Sequence, residues 1–120
     1  MNNSLNKYVL IGHSLGGYIT LAFAELFEDK LLGLGLFHSS VFEDNSEKKE
    51  NRTKLMEFIK SNGVKTFLKT FIPSLFYKEN VNALKDIIYD LKKSAEQTQP
   101  ESIIQYARAM RDRNNSEEML

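Results

Sequence analysis

Ser14 is the residue around which chemistry could be organised. It sits in Gly12-His13-Ser14-Leu15-Gly16, the spacing G-x-S-x-G, with Gly17 directly after. A serine so placed can attack a carbonyl carbon if the backbone holds its hydroxyl in the open and a base takes the proton. The run at 8–11, Tyr-Val-Leu-Ile, reads as a short buried strand, and 15–27 reads as a helix. Strand, sharp turn and helix together give the motif the context of a nucleophile elbow.

Room explains the glycines. A turn this tight strains the backbone of the serine. Side chains at 12 and 16 should collide as strand and helix close up, so Gly12 and Gly16 remove them, and Gly17 lets the helix approach the strand. Ser14 Oγ is then expected to stand exposed at the C-terminal end of the strand, over the partial positive charge of a helix N-terminus. The backbone N–H of Leu15 is expected to be one of two oxyanion-hole donors. The plain alternative is a glycine-rich turn with an incidental serine.

Composition narrows the function classes. The chain has 120 residues, 42% hydrophobic and 27% charged, an ordinary globular composition for one domain. Lys+Arg and Asp+Glu both number 16, so the formal net charge is 0 and neither nucleic acid nor an anionic membrane is an expected partner. There is no cysteine, and the two histidines do not form HExxH, so no metal site and no cofactor is expected. No apolar run nears the roughly 18 residues of a membrane span. Met1-Asn2-Asn3-Ser4 has no signal-peptide character, so a cytoplasmic location is the expectation.

The elements that must position Ser14 follow from periodicity. Residues 1–6 read as a frayed lead-in and 28–30 as a polar turn. A second apolar run at 31–37, Leu-Leu-Gly-Leu-Gly-Leu-Phe, completes a β-α-β unit, and both strands suit a parallel sheet covered on both faces. Gly33 and Gly35 leave one strand face bare, where something should pack closely. From Glu43 onward the pattern is helical. Asp44 with Glu47 has the form of a capping box, with Asp44 near the pocket as a rival reading. Helices are expected over 45–61, ended by Asn62-Gly63, and from Val64 to a stop at Pro73. A third carries Leu84, Ile87, Ile88, Leu91 and Ala95 on one stripe, and a fourth turns Ile103, Ala107 and Met110 inward. Residues 114–120 read as a frayed tail.

The segment from Lys7 to Asp44 resembles the α/β-hydrolase family, with Gly-His-Ser-Leu-Gly-Gly as its elbow. Asn51-Arg52, Gly63-Val64-Lys65-Thr66-Phe67 and Ile72-Pro73-Ser74-Leu75-Phe76 look like the helical cap of bacterial members. The resemblance implies an α/β fold class: a partial α/β-hydrolase fold, two parallel strands flanking the nucleophile helix, followed by a cap of about four helices. It divides the chain into a partial core at 1–42, a cap or lid at 43–113 and a tail at 114–120. It also implies a lid lining the substrate pocket, with Phe42, Phe67, Phe71, Leu75, Phe76 and Tyr77 as candidates; the plainer role for each is to hold the lid helices together. His13 is expected to pack beneath the elbow. His38, at the same strand edge as Ser14, is expected at the pocket rim rather than as a base.

By that resemblance the second oxyanion donor comes from a loop upstream of the elbow, and the triad runs serine, acid, histidine. His38 is the one histidine after Ser14, and the acids between them, Glu25, Glu28 and Asp29, should point away from the site. The expectation is a central portion of a serine hydrolase, esterase-like or thioesterase-like, that forms an acyl-enzyme with a small apolar ester or thioester and is inactive in isolation. A serine rather than an aspartate argues against dehalogenase or epoxide-hydrolase chemistry. Two other classes stay open. The chain could be a non-catalytic piece whose open strand edges take up another copy or a complementing chain, or the helices from 45 to 113 could fold alone as an interaction bundle.

Overall fold

The computed structural model describes residues 7–119; the expectation for residues 1–6 lies outside it. Two apolar runs become strands, β1 (Tyr8–His13) and β2 (Leu31–Phe37), joined through helix α1 (Leu15–Leu26) and a 3₁₀ turn at Glu28–Lys30. The strands pair in parallel, with Val9 opposite Gly33, Leu10 opposite Leu34, Ile11 opposite Gly35 and His13 opposite Phe37, after an irregularity between Tyr8 and Val9.

Alternation sends Tyr8, Leu10 and Gly12 to one face of β1. That face meets α1, which buries Thr20, Leu21 and Ala24; the Tyr8 ring meets Phe23 edge-on at 6.2 Å. Val9 and Ile11 point the other way and stay 64% and 76% exposed, so one face of the described sheet is covered rather than two. Nor do both strand glycines accept a close neighbour. Ile11 would meet a Cβ at Gly35 at 3.5 Å, whereas one at Gly33 would meet nothing within 4 Å.

The described residues form two compact units, 7–45 with 112–119, and 46–111. In the first, residues 114–119 of the expected tail do not fray. Ser116 is buried, its N–H donates to the Val41 carbonyl at 2.9 Å, its hydroxyl donates to Glu25 Oε1 at 2.8 Å, and Glu117–Met119 forms a 3₁₀ turn.

The second unit is built from α2 (Ser46–Ser74), α3 (Lys85–Ala95) and most of α4 (Pro100–Asp112). Gly63, at φ 78° and ψ 164°, breaks α2 where Asn62-Gly63 predicts a stop. Beyond it Val64, Leu68 and Ile72 recur at helical spacing and join Met56, Ile59, Ile88, Ile104 and Ala107 in one core. Pro73 lies within the last turn of α2 instead of ending it. On α3 only part of the expected stripe turns inward: Ile88 is buried, while Ile87 and Leu91 are exposed. Asp44 has a partner that its capping pattern does not announce. Because α2 begins at Ser46, Asp44 lies one residue ahead of the cap position, and its carboxylate pairs with Arg113 at 2.8 Å. Among the described residues no helix is long and apolar enough to cross a membrane.

Candidate active site

Ser14 alone makes the corner between β1, which ends at His13, and α1, which begins at Leu15. Its backbone stands at φ 51° and ψ −118°, a region that side chains with a Cβ rarely adopt. Three hydrogen bonds frame it. Its N–H donates to the Phe37 carbonyl at 2.9 Å, and its own carbonyl accepts from the Gly17 N–H at 3.0 Å and from Ser39 Oγ at 2.9 Å. The side chain is left exposed at the C-terminal end of β1.

The crowding that demands glycine falls on Gly12 and Gly17. A Cβ at Gly12 would come within 2.5 Å of the Gly16 carbonyl carbon and 2.6 Å of Gly17 Cα, both backbone atoms that cannot swing aside. A Cβ at Gly17 would overlap the Cβ and Oγ of Ser39. Gly16 differs from expectation, because a Cβ there would meet nothing within 4 Å. Its part in the corner is played by its backbone, which presses on Gly12.

Beside the corner lie three rings. The His13 and His38 centroids are 5.7 Å apart at 75°, and Phe37 meets His38 edge-on at 5.0 Å. His13 is exposed rather than packed beneath the turn. His38 also has a positive φ, 47°, so the end of β2 bends as sharply as the end of β1. Leu15 opens α1, and a first-turn N–H has no partner within its own helix. A hydroxyl at a helix N-terminus beside such a donor is suited to attack a carbonyl and to stabilise the oxyanion that results. Among the described residues no histidine or carboxylate is hydrogen-bonded to the Ser14 hydroxyl.

The remaining predicted residues divide between the units. Phe42 is in the first, half-exposed, with its carbonyl accepting from Arg113 Nη2 at 2.7 Å. Phe71 and Phe76 belong to the second. Phe71 stacks on Phe67 at 4.7 Å, and Phe76 packs against the helical core. Cavities along α1 lie apart from the corner. One of about 220 Å³ lies along α1 between Tyr18, Glu25, Arg113 and Ser116, and an apolar one of about 350 Å³ lies between Tyr8, Leu10, Ile19 and Phe23; neither is lined by Ser14, Leu15 or His38. Among the described residues no group of three or more His, Cys, Asp and Glu converges on a metal position. Sequence reasoning missed Ser39, whose hydroxyl bonds the Ser14 carbonyl; its one signal is a small polar residue two positions past a strand that ends beside the serine.

Known proteins share this architecture. The model of the Ndr family matches residues 2–119. A thermophilic esterase from Thermogutta terrifontis, solved with malate bound, is similar with a TM-score of 0.81 at 30% sequence identity, over 96% of this chain and 42% of the esterase. This chain therefore spans less than half the length of that protein. No curated protein matches it. The two findings establish the α/β-hydrolase relationship: the fold is a partial α/β-hydrolase fold, two parallel strands flanking a helix, with a helical cap.

Proposed function

The chain belongs to the Ndr family, and from that premise we propose that it is the nucleophile-bearing portion of a serine hydrolase for small apolar esters or thioesters. One observation carries the reading. Ser14 has a strained backbone, at φ 51° and ψ −118°, between a parallel strand and a helix. Strain of this kind gathers where function needs a side chain held in place. The likeness to an esterase at 30% identity supports the same class of chemistry.

In the proposed reaction Ser14 Oγ attacks the carbonyl carbon as a base takes its proton. The oxyanion of the tetrahedral intermediate accepts a hydrogen bond from the Leu15 N–H. Collapse expels the alcohol or thiol, which regains the proton, and leaves an acyl-serine that water then hydrolyses. The base and its orienting acid come, in this reading, from outside residues 1–120. His38 and Phe42, in the same unit as Ser14, shape the rim in this reading.

The isolated chain is therefore expected to turn over p-nitrophenyl acetate no faster than its Ser14→Ala variant. Imidazole in solution supplies the base in a direct test. With imidazole present, a fluorophosphonate should modify Ser14 in preference to the other serines, as located by peptide mass spectrometry. Modification spread evenly over the surface serines would overturn the reading.

A second reading has its own observation. Val9, Ile11, Leu32 and Phe37 leave the described sheet with apolar side chains 60% exposed or more. A non-catalytic piece that joins another chain through this sheet would look the same. Light scattering that finds a monomer across the micromolar range, beside selective labelling of Ser14, favours the first reading.

A further inference from the structure

We infer that Ser39 is a positioning residue that aims and polarises the Leu15 N–H, the oxyanion donor of the reaction proposed above, on which this inference rests. The carbonyl of Ser14 and the N–H of Leu15 belong to one planar peptide group. Holding the carbonyl oxygen therefore fixes the direction of the N–H. Two donors hold it: the Gly17 N–H at 3.0 Å, from within the turn, and Ser39 Oγ at 2.9 Å, from a residue 25 positions away at the end of β2.

The second bond carries more than position. A donor on an amide oxygen draws charge through the peptide group and makes the attached N–H a stronger donor in turn. Ser39 would thus strengthen the Leu15 N–H without touching substrate. The surroundings are shaped for the contact. A side chain on Gly17 would occupy the place of the Ser39 Cβ and Oγ, so Gly17 keeps open the path that the hydroxyl needs. The Ser14 N–H is held at 2.9 Å by the Phe37 carbonyl, two residues before Ser39, so the end of β2 grips both sides of the strained residue.

The test uses the full chain and needs no turnover. In a ¹H–¹⁵N spectrum, Ser39→Ala should move the Leu15 amide proton upfield and speed its exchange with solvent, while Ser39→Thr, which keeps a hydroxyl, should restore much of both. A merely structural Ser39 would move the unfolding midpoint without this selective change. Should Ser39→Ala be too unstable to record, Ser39→Cys serves, because it fills the same space with a weak donor and should give a Leu15 shift in the same direction. A Leu15 amide unmoved in whichever variant is recorded overturns the inference. The two ideas fail differently. Labelling indifferent to Ser14 with a responsive Leu15 amide sinks the hydrolase reading alone. Selective labelling of Ser14 at an unchanged rate in Ser39→Ala, with a silent Leu15 amide, sinks the role of Ser39 alone.

Discussion

Arg113 Nη1 lies 2.8 Å from Asp44 Oδ1, and 69 positions of sequence separate the two residues. They stand on the two segments that lead into and out of the helical unit at 46–111. Asp44 is 2% exposed and Arg113 14% exposed, so this is a buried pair rather than a surface one. Arg113 also donates to the Phe42 carbonyl at 2.7 Å, and its guanidinium lies 4.0 Å from the Tyr18 ring centroid. One planar cation thus fastens a side chain, a backbone oxygen and a helix of the first unit.

Removing one member of such a pair leaves the other charge buried. Arg113→Ala is expected to lower unfolding free energy by about 3–5 kcal/mol. The double change Arg113→Met with Asp44→Leu, which removes both charges and keeps the volume, should cost much less. Urea denaturation of the three proteins decides it, and equal losses in the single and double variants would show that the charge pairing is not what matters.

Gly12 and Gly16 look alike in the motif and should behave differently. At Gly12 a methyl collides with backbone of the adjoining turn, so Gly12→Ala is expected to cost at least about 1–3 kcal/mol. At Gly16 a methyl meets open space on a helix, and Gly16→Ala should stay within about 1 kcal/mol of the parent, on the stabilising side. Circular dichroism melts of the two variants make the comparison, and a Gly16→Ala as damaged as Gly12→Ala would contradict the described corner.

The strand-turn-helix was legible because two apolar runs and a G-x-S-x-G spacing are local signals. The break at Gly63 was legible for the same reason, since the φ of 78° found there favours glycine. What was not legible depended on distant partners. Asp44 carries a local capping pattern, yet its carboxylate is held by Arg113 from far along the chain, and no periodicity encodes that pairing. Ile87 and Leu91 share an apolar stripe with Ile88, and only packing decides which edge of a wide stripe is covered. Ser39 was not legible as a hydrogen-bond donor to the corner, because that bond depends on where two strand ends meet in space.

The Glu50 carboxyl is held below its ordinary value of 4.5 by the hydrogen bond and charge of Lys54, whose Nζ is 2.6 Å away. Because the folded value is depressed, any contribution to stability is present above the unfolded value and is lost as pH falls through the folded one. Glu50 is fully exposed, so that contribution should be small. In Lys54→Met, carbon-detected NMR should find Glu50 titrating higher, with almost no change in the melt. An unmoved titration would assign the depression to another neighbour.

The strain at Ser14 itself can be measured. Its φ of 51° and ψ of −118° mirror the extended region that L-residues favour, and glycine enters that mirror region at little cost. A residue with a Cβ pays about 1–3 kcal/mol to stay there. Ser14→Ala keeps the Cβ and the strain, so its stability should match the parent. Ser14→Gly relieves the strain but frees the unfolded chain, which takes back about 0.5–1 kcal/mol. The exposed hydroxyl leaves no packing to lose. Ser14→Gly should therefore be more stable than Ser14→Ala by about 1 kcal/mol, read as a higher urea midpoint at unchanged slope. Both variants lack the Ser14 hydroxyl, so the comparison is blind to the proposed chemistry and reports the backbone alone. If Ser14→Gly proves no more stable than Ser14→Ala, the corner stores no strain, and the reading of Ser14 as a nucleophile held in place loses the observation that carries it.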